Sequence, residues 1–144
     1  MSASAIADGF VTMLSAASCL GVGAVSKEDY GVIERVATCC LVIEGFRLES
    51  NVVAFGSPPD RERLWTFLMT GYSKDTGDGK AAMNRTYGIV DAVVAAVESD
   101  PTVQGTGEDA GVVAATREPG EAYIVGNVTF LPVHIDVEVK EWTG

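Results

Sequence analysis

The sequence predicts an α+β fold: a single domain, residues 1–144, in which an antiparallel or mixed β-sheet is flanked by an N-terminal helix and a long central helix. Three observations lead to this prediction. Two segments repeat apolar residues every three or four positions, as helices do. Several other segments are rich in β-branched residues or alternate apolar with polar side chains, as strands do. Short turn sequences separate consecutive strands, so we expect mostly antiparallel pairing with the helices on one face of the sheet.

The N-terminal segment, residues 3–18, is predicted to be an amphipathic helix. Its apolar residues, among them Ile6, Phe10 and Met13, recur at spacings of three and four. A secretory signal would need a basic segment before its apolar run, but no Lys or Arg precedes Lys27. We therefore interpret the segment as part of the folded domain. No other stretch is apolar enough over its length to span a bilayer.

The next part of the chain is predicted to form the first strands. Residues 38–46 are apolar on both alternating faces, which is typical of a strand that is covered on both sides. Two prolines in residues 57–62 cannot join a strand ladder, so that segment is predicted to be a loop. The predicted elements are, in order, a short helical or extended piece (residues 30–36), two strands (38–46 and 47–56), the loop (57–62) and a third strand (63–75).

The apolar side chains on the second face of this sheet must be shielded from water. A domain of this size has two predicted helices, which are enough for one face. The side chains expected on the other face are Cys40, Val42, Trp65 and Phe67. They would be exposed unless the N-terminal helix or a neighbouring molecule covers them. Assembly with other molecules is therefore one interpretation of this pattern, and cover by the N-terminal helix is the alternative.

The strongest helical pattern is in residues 81–98. The helix is expected to stop at residues 100–101, because the residue before a proline is disfavoured in a helix. Two strands around a turn at 118–121 are predicted within residues 110–130, and the alternation of residues 132–142 predicts a last, half-buried strand. The apolar stripe expected to face the sheet consists of Met83, Tyr87, Val90, Val94 and Val97, widened by Ile89 and Val93.

The charge of the chain limits its functions. The formal net charge is −10, and residues 98–144 carry −7 of it through nine acids and two bases. An acidic chain is a poor nucleic-acid binder, because phosphate contacts need Lys and Arg. An acidic surface instead repels DNA, which suits a surface that DNA must slide past. The three cysteines (Cys19, Cys39 and Cys40) lack zinc-site spacing, and we interpret them as reduced and buried, which favours the cytoplasm.

No enzyme motif is present, and we predict no catalytic, cofactor-binding or metal-binding residue. The glycine-rich stretches lack the spacing of phosphate-binding loops, and no stretch has the spacing of a calcium loop. His134 is the only histidine, and Asp136 would lie on the same strand face, where it could orient the imidazole as in a Ser–His–acid or Cys–His site. However, His134 falls on the polar face of a regular strand and no nucleophile turn occurs, so a structural histidine is favoured.

The stretch "ESDPTVQGTGED" (residues 98–109) allows two interpretations. It can be a metal-binding loop, or it can be the end of the central helix, where the Asp-Pro pair stops the helix and two glycines turn the chain back. We favour the helix end, and we expect changes at Asp100 or Pro101 to act through folding. The candidate metal ligands under the other interpretation are Glu98, Asp100, Glu108 and Asp109.

This stretch and its surroundings resemble the tail terminator and tail completion proteins of long-tailed bacteriophages. Members of that group often carry a helix that ends in an Asp-Pro-Thr-Leu-x-Gly-like stretch, followed by strands. The last strand here, "VHIDVEVKEW" (residues 133–142), and the order helix, strands, central helix, strands also match over nearly the whole chain. The matching residues of the short motif are Asp100, Pro101, Thr102, Val103 and Gly105, with valine where leucine is more usual.

The resemblance implies a structural protein of the virion, located in the tail at the head–tail interface of a siphovirus-like particle and assembled in the host cytoplasm. It implies a homo-oligomeric ring of six copies that caps the tail tube, ends tube growth and joins the tail to the head connector or stopper protein. Genomic DNA would pass through the lumen without specific binding. No cofactor and no membrane contact are implied.

Other functions stay open at this point. Other head–tail junction proteins, such as head completion or stopper proteins, and tail tube proteins share a similar α+β architecture. A small soluble enzyme or ligand-binding domain would have to use His134 and Asp136. A small exported protein with a cleaved N-terminus is a further alternative.

Overall fold

A computed structural model describes residues 3–16, 24–27, 30–31, 33, 38–54 and 60–143. The predicted α+β class is confirmed: within these residues, two helices lie against one mixed sheet of six strands. The helices are α1 (Ala3–Leu14) and α2 (Gly79–Ser99), and the strands are β1 (Val25–Lys27), β2 (Cys39–Ala54), β3 (Asp60–Asp75), β4 (Asp109–Thr116), β5 (Tyr123–Val125) and β6 (Val128–Thr143).

The sheet is built around three strands, β2, β3 and β6, of 16 residues each. The strand order is β1-β2-β3-β6-β4, and β5 pairs with the first part of β6. β1 is parallel to β2, and the other pairs are antiparallel. β3 and β6 pair along their whole length, from Arg61 opposite Thr143 to Asp75 opposite Thr129. Gly126 has φ 61 in the two-residue turn between β5 and β6, as a type II′ turn requires.

Both helices pack on the same face of this sheet, which we call the helix face. Alternate residues of the three long strands, such as Leu41, Phe67 and Ile135, point to this face and are almost fully buried. Phe10 of α1 lies edge-on to Phe67, with ring centres 5.4 Å apart. An aromatic pair of this geometry adds about 0.5–1.5 kcal/mol to the stability gained from burial alone. The predicted placement of the helices on one face is therefore confirmed.

The ends of α2 follow from local hydrogen bonds. The Asp78 carboxylate accepts a hydrogen bond of 3.1 Å from the backbone N–H of Ala81 and caps the first turn. Asp100 is the C-cap residue, and its backbone N–H donates to the carbonyl of Ala96. The predicted stop at residues 100–101 is confirmed.

The predicted buried stripe of α2 was partly wrong: Ile89, Val93 and Val97 are buried as predicted, whereas Met83, Tyr87, Val90 and Val94 are not among the buried residues. Tyr87, placed in that stripe, is 60% exposed. The helix is rotated because Gly71 of β3 leaves room for Ile89: a Cβ at Gly71 would lie 2.7 Å from the Cγ2 of Ile89. The stripe that faces the sheet consists of Ala82, Thr86, Ile89, Val93 and Val97.

Two strand boundaries also differ from the prediction. Residues 39–54 form one continuous strand instead of two, because β3 pairs with them along the whole segment. A β-bulge between Ile43 and Gly45 shifts the register by one residue without ending the strand. β3 begins at Asp60, so residues 60–62 are strand and not loop; residues 57–59 lie outside the described part. Most of the predicted piece at 30–36 also lies outside it.

The prediction that four apolar side chains share the second sheet face was wrong. The register places Trp65 and Phe67 on the helix face, opposite Leu48 and Phe46. Cys40 lies on the opposite face, as does Val42, and both are fully buried there. The side chains packed around them are Ala24, Ile33, Tyr72 and Phe130. The chain itself therefore covers all four.

The segment after α2, residues 100–107, packs into the core and is here called the stop loop. Val103 is fully buried, although its φ of 50 is unusual for a β-branched residue. Gly9 of α1 lies directly against it, since a Cβ at Gly9 would be 2.6 Å from the carbonyl oxygen of Val103. Gly107 similarly leaves no room for a side chain beside Val139 of β6. The stop loop thus joins α1, α2 and β6.

The close contact between α1 and the stop loop can be tested with a matched pair of glycine substitutions. Gly9→Ala is expected to lower the free energy of unfolding by roughly 1–3 kcal/mol, because the new methyl group would overlap a backbone oxygen. Gly88→Ala in α2 meets nothing within 4 Å, so it is expected to raise the free energy of unfolding by about 0.5–1 kcal/mol. Urea denaturation measures both. Stabilisation by Gly9→Ala would show that this contact is not tight.

Candidate functional site

The face of the sheet opposite the helices, here called the open face, is the first candidate surface. One end of it holds the small apolar cluster around Cys40. Beyond that cluster no helix of the described chain covers it, and its side chains are mostly polar because β6 alternates apolar and polar residues. The polar side chains that β6 contributes are His134, Asp136, Glu138 and Lys140, and those that β2 contributes are Arg47, Glu49 and Asn51.

His134 is the centre of a hydrogen-bonded group on this face. Its Nδ1 lies 3.1 Å from the Oγ1 of Thr70, and its Nε2 lies 3.0 and 3.1 Å from the two carboxylate oxygens of Glu121. The partner that orients the ring is thus Glu121, and the expected role of Asp136 is corrected. Asp136, two positions along the same strand, makes no hydrogen bond to the His134 ring, whose two nitrogens face Thr70 and Glu121. Glu121 comes from the turn before β5, which no sequence spacing to His134 indicates.

The order hydroxyl, imidazole, carboxylate is that of a nucleophilic triad. The Thr70 side chain, however, belongs to a residue only 2% exposed, at the centre of the sheet. The groups packed around Thr70 therefore shield this hydroxyl from a substrate. In this geometry the group joins β3, β6 and the turn before β5, and it acts as a brace for that turn.

The acids of the stop loop region do not come together. Among the described residues, no group of three His, Cys, Asp or Glu side chains is placed to hold a metal ion, which includes the four acids between Glu98 and Asp109. The carboxylate of Asp100 accepts hydrogen bonds from the Thr102 hydroxyl (2.6 Å) and the Gln104 backbone N–H (2.9 Å). Asp109 lies opposite Lys140 in the sheet.

The two described cysteines, Cys39 and Cys40, are buried thiols that form no disulfide, as the sequence predicts; Cys19 lies outside the described residues. Burial raises the pKa of the Cys40 thiol to about 12, and the neighbouring Cys39 contributes to the shift. Cys40 therefore stays protonated at neutral pH and is a poor nucleophile.

The second candidate surface is apolar and lies on the helix face, past the reach of the helices. It is formed by three exposed side chains of β2, Phe46, Leu48 and Val52, here called the apolar arm, which are 52%, 43% and 39% exposed. Phe46 rests on the rings of Trp65 and Phe67, with centroids 5.6 and 6.2 Å away. The arm is thus a surface on an ordered strand and not a frayed end.

A buried carboxylate fixes the base of the apolar arm. Glu141 is 3% exposed, and its Oε2 accepts a hydrogen bond of 2.9 Å from the indole N–H of Trp65. Its Oε1 lies 3.6 Å from a guanidinium nitrogen of Arg63. These two partners offset the cost of burying the charge, and they hold Trp65 beneath Phe46.

A cavity of about 370 Å³ lies beside the arm, between the start of α1 and the bulge in β2. Its polar groups are already paired, since the Lys27 amine lies 3.0 Å from Asp8 and 3.1 Å from the Ser4 hydroxyl. Its remaining lining is apolar: Ala3, Ala7, Ile43, Gly45, Phe46 and Phe67. The cavity can accept an apolar group, but no polar groups converge in it to orient a substrate.

The hydrogen bonds of the stop loop make a pH-dependent contribution to stability. The Thr102 hydroxyl, followed by the Gln104 N–H, lowers the pKa of Asp100 below its usual 3.8. A group with a lowered folded-state pKa stabilises the fold above its unfolded pKa, and this contribution is lost as the pH falls through the folded pKa. The substitution Asp100→Asn removes this pH-dependent contribution to stability.

The stability difference between wild type and Asp100→Asn is therefore expected to narrow as the pH falls from about 5 to about 2. Urea denaturation at a series of pH values measures this difference. Thr102→Val should show part of the same effect, since it removes the hydroxyl that lowers the pKa most. A difference that stays constant over this range would contradict the assignment.

Comparisons with known proteins do not assign the chain to a family. None of the protein-family models matches the sequence, and no curated protein matches it significantly. In the described part of the chain, no helix combines the length and the apolar character needed to cross a membrane. The open face and the apolar arm are therefore the features from which a function can be inferred.

Proposed function

We propose that this protein is a ring-forming structural component of a long-tailed phage particle, acting as a tail terminator. Six copies would cap the tail tube, end its growth and join the tail to the head connector, while the genome passes through the bore. The observation that carries the proposal is the division of the sheet: both helices occupy one face, the opposite face is open and polar, and an apolar arm projects past the helices.

The apolar arm supports assembly. Phe46, Leu48 and Val52 lie on one face of one strand, with the polar Ser50 between Leu48 and Val52. Exposed apolar side chains gathered on one strand are typical of a protein–protein contact. Burying them against a neighbouring molecule gains roughly 25 cal/mol for each Å² of apolar area removed from water.

The open face is suited to line the bore of a ring. With both helices on one side, a closed ring of such sheets can place the helices outside and the open face inside. Asp136 and Glu138 would then face the passing DNA, and six chains of −10 would give the ring a formal charge of −60. Like charge repels the phosphates, so DNA would slide through without adhering.

The stop loop supports the terminator assignment in particular. The motif residues that resemble tail terminators form a built structural unit here: Asp100 caps α2, Thr102 bonds to Asp100, and Val103 fills the core. The unit sets the path from α2 into β4. Under this proposal the partners are the tail tube protein and the head connector, and the protein resides at the head–tail interface of the virion after assembly in the host cytoplasm.

A different neck protein or a tail tube protein is the second candidate, since these resemble the protein in their α+β architecture. The two candidates differ in how far they polymerise. A terminator forms a ring and stops, whereas a tube protein stacks into tubes of many rings.

Electron microscopy and light scattering of the purified protein test the proposal. We expect closed rings and a mass of about 91 kDa, six times the 15.1 kDa of one chain. We also expect that added protein ends the growth of purified tail tubes. A monomer at all concentrations would contradict ring formation, and long tubes formed by the protein alone would favour the tube protein.

The location of the bore can be tested by charge reversal. Asp136→Lys combined with Glu138→Lys is expected to create DNA binding that weakens steeply with salt, because the new lysines meet phosphates at the bore. The control is Ala95→Lys with Glu98→Lys, which places two new lysines on the exposed side of α2. Fluorescence anisotropy with a short linear duplex measures both. Equal binding by the two variants would show that the open face does not line the bore.

A further inference from the structure

We infer that neighbouring copies join by strand addition, with the outer edge of β2 in one copy pairing antiparallel with the outer edge of β4 in the next. The inference rests on the proposed ring and names the contact that closes it. Its occupant is a second copy of this chain.

Two long stretches of strand edge have no partner strand within the described part of the chain. On its outer side β2 is paired only by β1, over residues 41–43. β4 pairs only with β6 and forms the opposite end of the sheet. Such edges carry rows of N–H and C=O groups that another strand can satisfy. Because the two edges differ, joining them repeats head to tail, and a head-to-tail contact with the right rotation closes into a ring.

Strand directions permit this junction. β2 runs antiparallel to β3, β3 antiparallel to β6, and β6 antiparallel to β4. The next copy in a ring keeps the same orientation, so its β2 would run antiparallel to the β4 beside it. The junction therefore continues the sheet with the pairing it already has.

A groove beside β4 matches the apolar arm beside β2. It lies on the helix face, between α2 and the β4 edge, and has a volume of about 200 Å³. Tyr87, exposed on α2, forms one wall, and Ala115 lies on the strand side. Arm and groove are on the same face of the sheet at its two opposite edges. Pairing of the edges would therefore bring the side chains of the arm under α2 of the neighbour.

One register brings the arm to the groove and uses all of β4. With Phe46 opposite Ala115, residues 46–51 of β2 run alongside residues 115–109 of the next copy. Val113 is the extra residue of a bulge in β4 and points outward, 53% exposed. Across that bulge Leu48 lies opposite Val112. Phe46 and Leu48, two of the three residues of the arm, then meet apolar residues on the helix face.

The same register brings opposite charges near each other. Arg117 falls opposite the bulge of β2 between Ile43 and Gly45, which contains Glu44, and its guanidinium nitrogens donate to the carbonyls of Glu118 and Glu121. The Nε of Arg117 is buried and has no hydrogen-bond acceptor among the described residues. Buried donors are rarely left without an acceptor. The carboxylate of Glu44, which accepts one hydrogen bond from Tyr30, has a second oxygen to offer.

Engineered cysteines test the register directly. Arg47 and Ala114 are exposed residues that fall opposite each other across the junction, and directly paired residues have Cβ atoms close enough for a disulfide. Within one chain they lie at opposite edges of the sheet and cannot meet. Mild oxidation of the variant carrying both Arg47→Cys and Ala114→Cys is expected to give a ladder of covalent oligomers, seen on non-reducing gels.

The single variants and wild type are the controls. Each junction needs one cysteine of each kind, so Arg47→Cys alone and Ala114→Cys alone are expected to stay unlinked. Covalent dimers of a single variant would show a symmetric contact and overturn the inference. Light scattering on the same samples distinguishes failure of strand addition from failure of the proposed ring. Rings without cross-links would overturn strand addition alone, and monomers at all concentrations would overturn the proposed ring as well.

Charge exchange gives an independent test of the same register. Glu44→Arg alone and Arg117→Glu alone are each expected to weaken assembly roughly tenfold or more. Together they are expected to restore it, because the pair is re-formed with its charges exchanged. Leu68→Ser on the open face, which removes an exposed apolar side chain away from the junction, should leave assembly unchanged. Failure of the exchange to restore assembly would contradict the pairing of these two residues.

Discussion

The structure depends on a mismatch in length between its strands and its helices. A strand of 16 residues spans about 50 Å, whereas α1 with 12 residues and α2 with 21 span about 18 Å and about 31 Å. Neither helix is as long as the strands it packs against, and the side chains of the apolar arm stay exposed on the helix face. Because both helices lie on that face, the opposite face is left to smaller elements.

The two hydrogen-bonded groups of buried or half-buried side chains connect parts of the sheet to each other. The Glu121–His134–Thr70 group fixes a turn to two strands, and Glu141 holds Trp65 beneath the arm. Of the acids considered as metal ligands, Asp100 is the C-cap residue of α2 and Asp109 lies in β4, opposite Lys140 of β6. An ordered apolar arm, open edges and a polar face together describe a building block better than a catalyst. That is why we favour assembly as the function.

The sequence predicts those parts of the fold that repeat locally. The periodicity of α2, its stop at Asp100 and the alternation of β6 are confirmed, because each is set by neighbours in the chain. The rotation of α2 was missed because it depends on Gly71, a distant glycine that makes room for Ile89. The continuity of β2 and the true partner of His134 were missed for the same reason: strand register and a partner in a remote turn leave no signal in local spacing.

Hydrogen exchange of the assembled protein tests the central claim, that one continuous sheet runs through the whole ring. In an edge strand, the amides that point outward exchange quickly, and pairing with another strand protects them. We predict that the outward amides of β4, residues 109–116, and of the free part of β2 become protected at concentrations where rings form. They should lose that protection on dilution to the monomer, while β3 and β6 keep theirs. Rapid exchange of both edges in the intact ring would contradict the account.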